Sequence, residues 1–432
     1  MEIRLIGTGG SGGWPRPDCR CASCERARSA GRRRAPAHVL VDGVLRIDSG
    51  GPPRRASDAR HGGDGAGGGD VMSVGAGYRV ERVPGGWDVT SPDGARLLVG
   101  EWRGPTTAPP VKGEGEAGGA PHDAGPGTAG SGAAGPATMG PYDIVLLDLL
   151  ENPAQLGTLR RRGLVHARTV VAVLHADHRV SSEEELLRRC QFWGAIVPGD
   201  GDILAATPGP RAGAGSGLSL PPRRVLVLGG VRSGKSRHAE LRLAAEPRVT
   251  YLAAGPYRPG AQPAADSEWT ERVAAHRARR PPWWQTVESL DAAAALRSES
   301  GAVLFDGAGT WLAAVMDESG AWVGDGDGDD GDGDGEAEGE GEGDRDAGPG
   351  SASRLARAEI QIAARVDELL EAWRQTTARV VAVSDEVGSS VHPPTRAGRL
   401  FRDQLGWLNQ RLAAESEEAV LMVAGRALTL PS

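Results

Sequence analysis

From Val225 onward, short β-branched runs alternate with longer stretches whose apolar residues recur every three or four positions. The runs are Val225–Leu228, Val249–Ala253, Ala302–Phe305, Val380–Val383 and Ala419–Val423. The helical stretches are Ser236–Ala245, Ser267–Arg279, Leu355–Thr376 and Arg396–Ala414. Strands separated by helices in this way predict a mostly parallel, doubly wound α/β sheet. Upstream the pattern changes to short strand-like pieces: Glu2–Ile6, His38–Ile47, Tyr78–Val83, Trp87–Val89, Ala95–Val99, Ile144–Leu149 and Val170–Leu174. These predict a separate α+β domain.

Four low-complexity tracts break the pattern, at about Gly50–Gly69, Gly104–Gly140, Thr207–Leu220 and Gly324–Gly350. Rich in Gly, Ala, Pro or acid, they bury too little apolar surface to offset the entropy of ordering. The third tract places a boundary near residue 215. We therefore expect an N-terminal domain over 1–206, a linker over 207–222 and a C-terminal domain over 223–432, with a disordered acidic insertion at 324–350.

Charge changes the picture in one respect. The net charge is −8, but Asp325–Asp346 alone carries twelve acidic residues against one arginine, so the rest of the chain is close to neutral. No basic stripe remains to neutralise nucleic-acid phosphates, and a nucleic-acid partner is not expected. The Asp-x-Asp runs of the tract fail as a calcium loop, because Asp330 or Gly341 falls where glycine or glutamate is required. No apolar run approaches a membrane span, the N-terminus lacks a signal-peptide pattern, and the three clustered cysteines do not suggest a disulfide framework. A cytoplasmic protein is expected.

The most specific motif is Gly229-Gly230-Val231-Arg232-Ser233-Gly234-Lys235-Ser236, a complete G-x-x-x-x-G-K-[ST] phosphate loop. It follows an apolar strand and opens a helix, the context that points backbone N–H groups and a helix N-terminus at phosphates. Lys235, one of only two lysines in the chain, would reach the β/γ-phosphates, and the Ser236 hydroxyl would ligate Mg²⁺. Asp306, ending the apolar run Ala302–Phe305, stands where a magnesium-holding carboxylate belongs. His276 shares a helix face with Trp269 and Val273, so it reads either as a packed helix histidine or as a nucleophile. Arg277, Arg279 and Arg280 lie within a turn of it; such cations would favour the neutral imidazole and bind a transferring phosphate. The loop Ser384–Gly388 follows a strand, where ligand crevices of open α/β sheets form. Arg396, Arg399, Arg402, Asp403, Asn409 and Gln410 mark the next amphipathic segment.

Residues 224–430 closely resemble the bifunctional adenosylcobinamide kinase / adenosylcobinamide-phosphate guanylyltransferase family. The resemblance is carried by the phosphate loop with Arg237-His-Ala-Glu240, by Arg272-Val-Ala-Ala-His-Arg-Ala-Arg-Arg-Pro281, and by Trp284 and Glu288. Glu386-Val-Gly388, Phe401-Arg-Asp403, Gly406 and Asn409-Gln-Arg-Leu-Ala413 complete it. It implies a trimer of P-loop NTPase-type domains that uses ATP and GTP with Mg²⁺. Adenosylcobinamide is phosphorylated, a histidine that maps onto His276 is guanylylated, and GMP passes to the substrate phosphate to give adenosylcobinamide-GDP. Lys235, His276 and Asp306 would carry the chemistry, and Arg277 and Glu288 would join the phosphate loop in holding nucleotide. Two departures stand out: Asp385 replaces a common asparagine, and Ala254-Gly255-Pro256 replaces a threonine-containing turn.

Residues 1–206 resemble, more weakly, a metallo-β-lactamase-like hydrolase of the phosphodiesterase type. The matching points are Gly7–Pro15, Cys19-x-Cys21-x-x-Cys24, Val41-Asp42 and Ile47–Gly50. The glycines do not open a helix, which argues against a dinucleotide loop. The fold's metal site needs a His-x-His-x-Asp-His run, yet the nearest match, Val173-Leu-His-Ala-Asp-His178, begins with valine. His38, His61, His122 and His166 are few to complete it, and we read a degenerate domain without hydrolase activity. Cys19, Cys21 and Cys24 could hold a structural zinc with a distant histidine. The alternatives to the two-step transferase are a P-loop regulatory protein without transfer chemistry and a metal-dependent hydrolase in the N-terminal half.

Overall fold

The computed structural model describes residues 1–48, 53–57, 71–74, 77–101, 140–206, 221–254, 274, 276–322, 349–388 and 393–431. The chain divides into two compact units, Met1–Ser219 and Leu220–Ser432. Of the predicted helix Ser267–Arg279, Ala274 and residues 276–279 are described and are helical. Trp269, Val273, Gly255, Pro256, residues 207–220, His61, His122 and all but the last two residues of the acidic tract lie outside the described residues.

In the N-terminal unit the strands are β1 (Glu2–Gly7), β2 (His38–Val41), β3 (Leu45–Asp48), β4 (Arg54–Arg55), β5 (Val71–Val74), β6 (Tyr78–Val83), β7 (Gly86–Thr90), β8 (Arg96–Gly100), β9 (Ile144–Leu147), β10 (Val170–Val173) and β11 (Ile203–Ala205). The helices are α1 (Ala22–Ser29), α2 (Ala154–Arg161) and α3 (Glu183–Phe192). One sheet runs β11-β1-β2-β3-β4 and the other β10-β9-β8-β7-β6-β5. Alternation decides which face is buried: in β1, Ile3, Leu5 and Gly7 point inward while Glu2, Arg4 and Ile6 point out. Ile3, Leu5, Val39, Val41, Leu45 and Ile47 of the first sheet meet Tyr78, Val80, Val89, Leu97, Ile144 and Leu146 of the second in one core.

The segment His38–Ile47, read from its pattern as one strand, is a hairpin. Asp42 and Gly43 take positive φ angles of 47° and 70°. Glycine enters that region freely, and aspartate tolerates it better than most residues, so this dipeptide turns the chain.

The C-terminal unit holds β12 (Arg224–Gly229), β13 (Val249–Ala253), β14 (Gln285–Glu288), β15 (Ala302–Asp306), β16 (Arg379–Asp385), β17 (Glu418–Val423) and β18 (Arg426–Thr429). Its helices are α4 (Lys235–Leu243), α5 (Ala292–Ser298), α6 (Ala308–Glu318), α7 (Pro349–Gln375) and α8 (Arg396–Ala414). The sheet order is β14-β13-β15-β16-β12-β17-β18, parallel except for the antiparallel edge strand β18. This is the doubly wound α/β sheet predicted.

Both faces of that sheet are covered, which is why its strands are continuous apolar runs. Leu226 and Leu228 of β12 pack with Trp311, Ile362, Leu369, Trp373 and Leu405 from α6, α7 and α8. Val225 and Val227 point the other way, toward Ala239 and Leu243 of α4. The strand that delivers the phosphate loop is therefore clamped between two cores. Its C-terminal end lies beside those of β16 and β17, and β15 and β13 follow beyond β16 in the sheet.

Candidate functional site

Two glycines of the phosphate loop sit where a side chain would clash or be strained. A Cβ on Gly229 would sit 2.5 Å from Ser233 Oγ and 2.8 Å from the carbonyl of Met422, inside contact distance. Gly234, which caps α4, has φ 94°, a conformation that side chains rarely adopt. Ser233 N–H donates to Gly230 O at 3.3 Å, and Gly425 N–H donates to Ser233 O at 3.0 Å, pinning the loop to the turn after β17. Lys235 Nζ donates to Gly230 O at 3.2 Å and lies 2.7 Å from Asp385 Oδ1. The carboxylate at the end of β16 thus holds the lysine.

Asp385 is placed by α8. Buried Asn409 accepts from Ser384 Oγ at 2.6 Å and donates its amide to Asp385 O at 3.0 Å. Asn409, singled out in the sequence among the polar residues of its amphipathic segment, therefore fixes the loop that faces the lysine.

Asp306 ends β15 across the crevice. Ser236 Oγ donates to its Oδ1 at 3.2 Å, and Tyr251 OH donates to its Oδ2 at 2.7 Å. Burial and the neighbouring Asp306 carboxylate push the Tyr251 phenol well up, so it stays a donor. A hydroxyl and a carboxylate converging beside a phosphate loop are the hard oxygen donors that magnesium selects. The residues present fit that ion.

His276 reaches the same crevice. Its Nδ1 lies 3.3 Å from Glu240 Oε1 and 3.7 Å from Asp306 Oδ2. The shorter distance is not aligned for a hydrogen bond in this conformation. Glu240 is also gripped by Arg279, with Nε 2.9 Å from Oε2 and Nη2 3.1 Å from Oε1. Burial alone would raise the Glu240 carboxyl, but His276 and Arg279 outweigh it and hold it below its ordinary range.

Each arginine near His276 has a partner of its own. Arg279 is occupied by Glu240, and Arg280 lies over the Tyr251 ring, 3.2 Å from its centroid. Arg277 pairs with Glu288 at 3.4 Å on the exposed rim. Two carboxylates, Glu240 and Asp306, face the imidazole Nδ1. Sequence reading passed over Tyr251 and treated Glu240 only as part of a motif. Nothing local distinguishes either residue, because its partners lie 29 or more positions away in the chain.

In the N-terminal unit the run 173–178 is dispersed. Val173 is a core residue of β10. His175 is buried, held down at about 4 by burial and by the Arg179 charge. Asp177 receives Arg179 Nε at 2.8 Å, while Arg179 Nη2 binds Asp148 at 3.0 Å and Nη1 binds Glu151 at 3.1 Å. A guanidinium thus occupies these acids.

His178 turns instead to the cysteines. Its Nδ1 lies 3.2 Å from Cys19 Sγ, 3.8 Å from Cys21 Sγ and 3.8 Å from Cys24 Sγ. All four ligand atoms fall within 4.8 Å of one another, the one group of three or more metal-ligating side chains that converge in this way among the described residues. Zinc bonds of about 2.3 Å to sulfur and 2.0 Å to nitrogen give tetrahedral edges of roughly 3.5–3.8 Å, so the cluster fits that ion. Burial pushes the Cys24 thiol up to about 11; burial acts the same way on Cys21, but neighbouring amide and thiol groups outweigh it and lower that thiol.

Among the described residues no helix is long and apolar enough to cross a membrane. A phosphate loop on the central strand of a doubly wound sheet, with a carboxylate at the next switch of the crevice, defines a P-loop nucleotide-binding protein of the α/β class. A family model described as cobinamide kinase / cobinamide phosphate guanyltransferase matches residues 225–430. The bifunctional adenosylcobalamin biosynthesis protein CobP of Pseudomonas aeruginosa is 35% identical over 213 residues, covering 48% of this chain and 96% of the relative. The bifunctional adenosylcobalamin biosynthesis protein CobU of Salmonella typhimurium is 33% identical over 205 residues, with coverages of 46% and 96%. Its Escherichia coli namesake is 32% identical over 205 residues, with the same coverages. Through its C-terminal unit the chain belongs to the cobinamide kinase / cobinamide phosphate guanyltransferase family. A crystal structure of Zn²⁺-bound PqqB from Methylobacterium extorquens aligns with 48% of the chain and all of PqqB, at 13% identity and a TM-score of 0.26.

Proposed function

We propose that the C-terminal unit phosphorylates adenosylcobinamide with a nucleoside triphosphate, then transfers GMP from GTP through His276 to give adenosylcobinamide-GDP. The observation that carries this is the convergence of His276, Asp306 and Ser236 in one crevice beside the phosphate loop. Gly229 to Ser236 cradle the phosphates, and Lys235 leaves Asp385 to bind the β/γ-oxygens. Magnesium, held by Ser236 and Asp306, would supply charge neutralisation at the phosphates. Arg277 and Glu288, paired at the rim, would contact the nucleotide. Family membership further suggests a homotrimer acting in the cytoplasm.

The test is intact-mass spectrometry after incubation with GTP and Mg²⁺. An acid-labile gain of one GMP is expected on the wild type and none on His276→Ala. If GTP binds and neither protein gains mass, His276 loses this role, and a P-loop kinase or nucleotide-binding regulator becomes the better account.

We also assign Cys19, Cys21, Cys24 and His178 to a structural zinc, on the strength of their convergence from segments more than 150 residues apart.

A further inference from the structure

Glu240 lies on the second turn of the helix that opens with Lys235, so its carboxylate is fixed relative to the phosphate loop. Its side chain is 9% exposed. His276 and Arg279 stand three positions apart on one helical turn, the spacing that puts two side chains on the same face. Both reach Glu240, the ring at 3.3 Å and the guanidinium through two contacts of 2.9 and 3.1 Å. The bidentate grip of Arg279 keeps the carboxylate from rotating away. Asp306, the other acid near the ring, is engaged by Ser236 and Tyr251 and stands further off, at 3.7 Å.

We propose that Glu240 is the positioning residue for His276: its carboxylate faces Nδ1 at 3.3 Å, and in the nucleotide-bound enzyme the ring aligns on it, which keeps the proton on Nδ1 and leaves Nε2 as the nucleophile. This rests on the guanylyl-histidine reading. In the step it serves, the Nε2 lone pair forms a bond to the α-phosphorus of GTP. The bond from that phosphorus to the bridging oxygen breaks, and pyrophosphate leaves with the electron pair. The ring then carries GMP on Nε2, a proton on Nδ1 and a positive charge, which the buried Glu240 carboxylate faces. When a phosphate oxygen of the second substrate attacks the same phosphorus, the P–N bond breaks and its electrons return to Nε2. Glu240 gains and loses nothing; it stabilises the charged intermediate and fixes the tautomer.

The experiment compares wild type, Glu240→Gln and Glu240→Asp for the rate of GMP–enzyme formation and for the kinase step, with GTP binding as the check on folding. It also assigns the bonded nitrogen by ¹⁵N–³¹P coupling in histidine-labelled protein. We expect GMP on Nε2 and formation about a hundredfold slower in Glu240→Gln. The kinase step should fall less than threefold, and Glu240→Asp should recover part of the loss. GMP on Nδ1, or a Glu240→Gln rate within threefold of wild type, overturns the proposal while leaving the guanylyl-histidine intact. Absence of any adduct on wild type that binds GTP overturns both. If Glu240→Gln fails to bind GTP, the bonded nitrogen in the wild type decides alone.

Discussion

Replacing Asp385 by asparagine should tighten nucleotide binding. Before a phosphate can use Lys235, the lysine must leave Asp385 Oδ1, 2.7 Å away. The lysine side chain is 15% exposed and the aspartate 37%, so the pair is neither fully solvated nor buried. Exposed pairs contribute about 0.2–1 kcal/mol, and hydrogen bonds to charged groups about 1.5–3 kcal/mol. Solvent screening at the aspartate places this contact near the lower end of the second range, about 1.5 kcal/mol. Asparagine keeps the shape and an acceptor for the lysine but removes the charge that competes with phosphate. The Asn409 amide bond to the backbone carbonyl of residue 385 remains. The nucleotide Kd should therefore fall about tenfold. The gain should shrink as salt rises, because a partly exposed charge is screened. Titration calorimetry with GTP and Mg²⁺ at two salt concentrations measures both effects. An unchanged or weaker Kd would refute the reasoning: Asp385 would then help to hold nucleotide, directly or through the metal, instead of competing with it.

Two further predictions concern the N-terminal unit. Protein purified without chelator should carry one zinc per chain, and Cys24→Ser should lose it and lower the melting temperature while GTP binding persists; a metal-free wild type of equal stability would sink the zinc assignment. His175, held down at about 4 by burial and by Arg179, should cost stability as pH falls from 6.5 through 4, because only the unfolded chain takes up that proton early. Asp148, raised to about 6 by burial, works in the opposite direction, gaining stability as pH falls through 6. His175→Gln should therefore make the stability change between pH 7 and 4.5 about 2–3 kcal/mol more favourable than in wild type. Hydrogen exchange at β9 and β10 in the full chain measures this, and equal pH dependences would contradict it.

Local patterns were legible where they are strong. The phosphate loop, the central parallel strands and the long helices α7 and α8 can all be read from periodicity and from one glycine-rich motif. Edge elements were not legible: β14 is exposed at every position and β18 at three of its four, so neither presents an apolar alternation. The short Ala-rich helix α5 lacks a polar stripe to mark it, because it packs into one large core. The hairpin at Asp42 was written in the chain as Asp-Gly but hidden by apolar residues on both sides.

The sequence by itself determined the chemistry available: a phosphate loop, one lysine within it, a strand-ending aspartate, a histidine among arginines, and three spaced cysteines. Tertiary structure decided the partners. Lys235 meets Asp385 from 150 positions away, His276 meets the carboxylate of Glu240, and His178 joins Cys19 across 159. Secondary structure follows from interactions within a few residues, so its signals repeat along the chain. A charge finds its counter-charge wherever sheet order and helix packing bring the two within a few ångströms, and no spacing in the sequence encodes that distance.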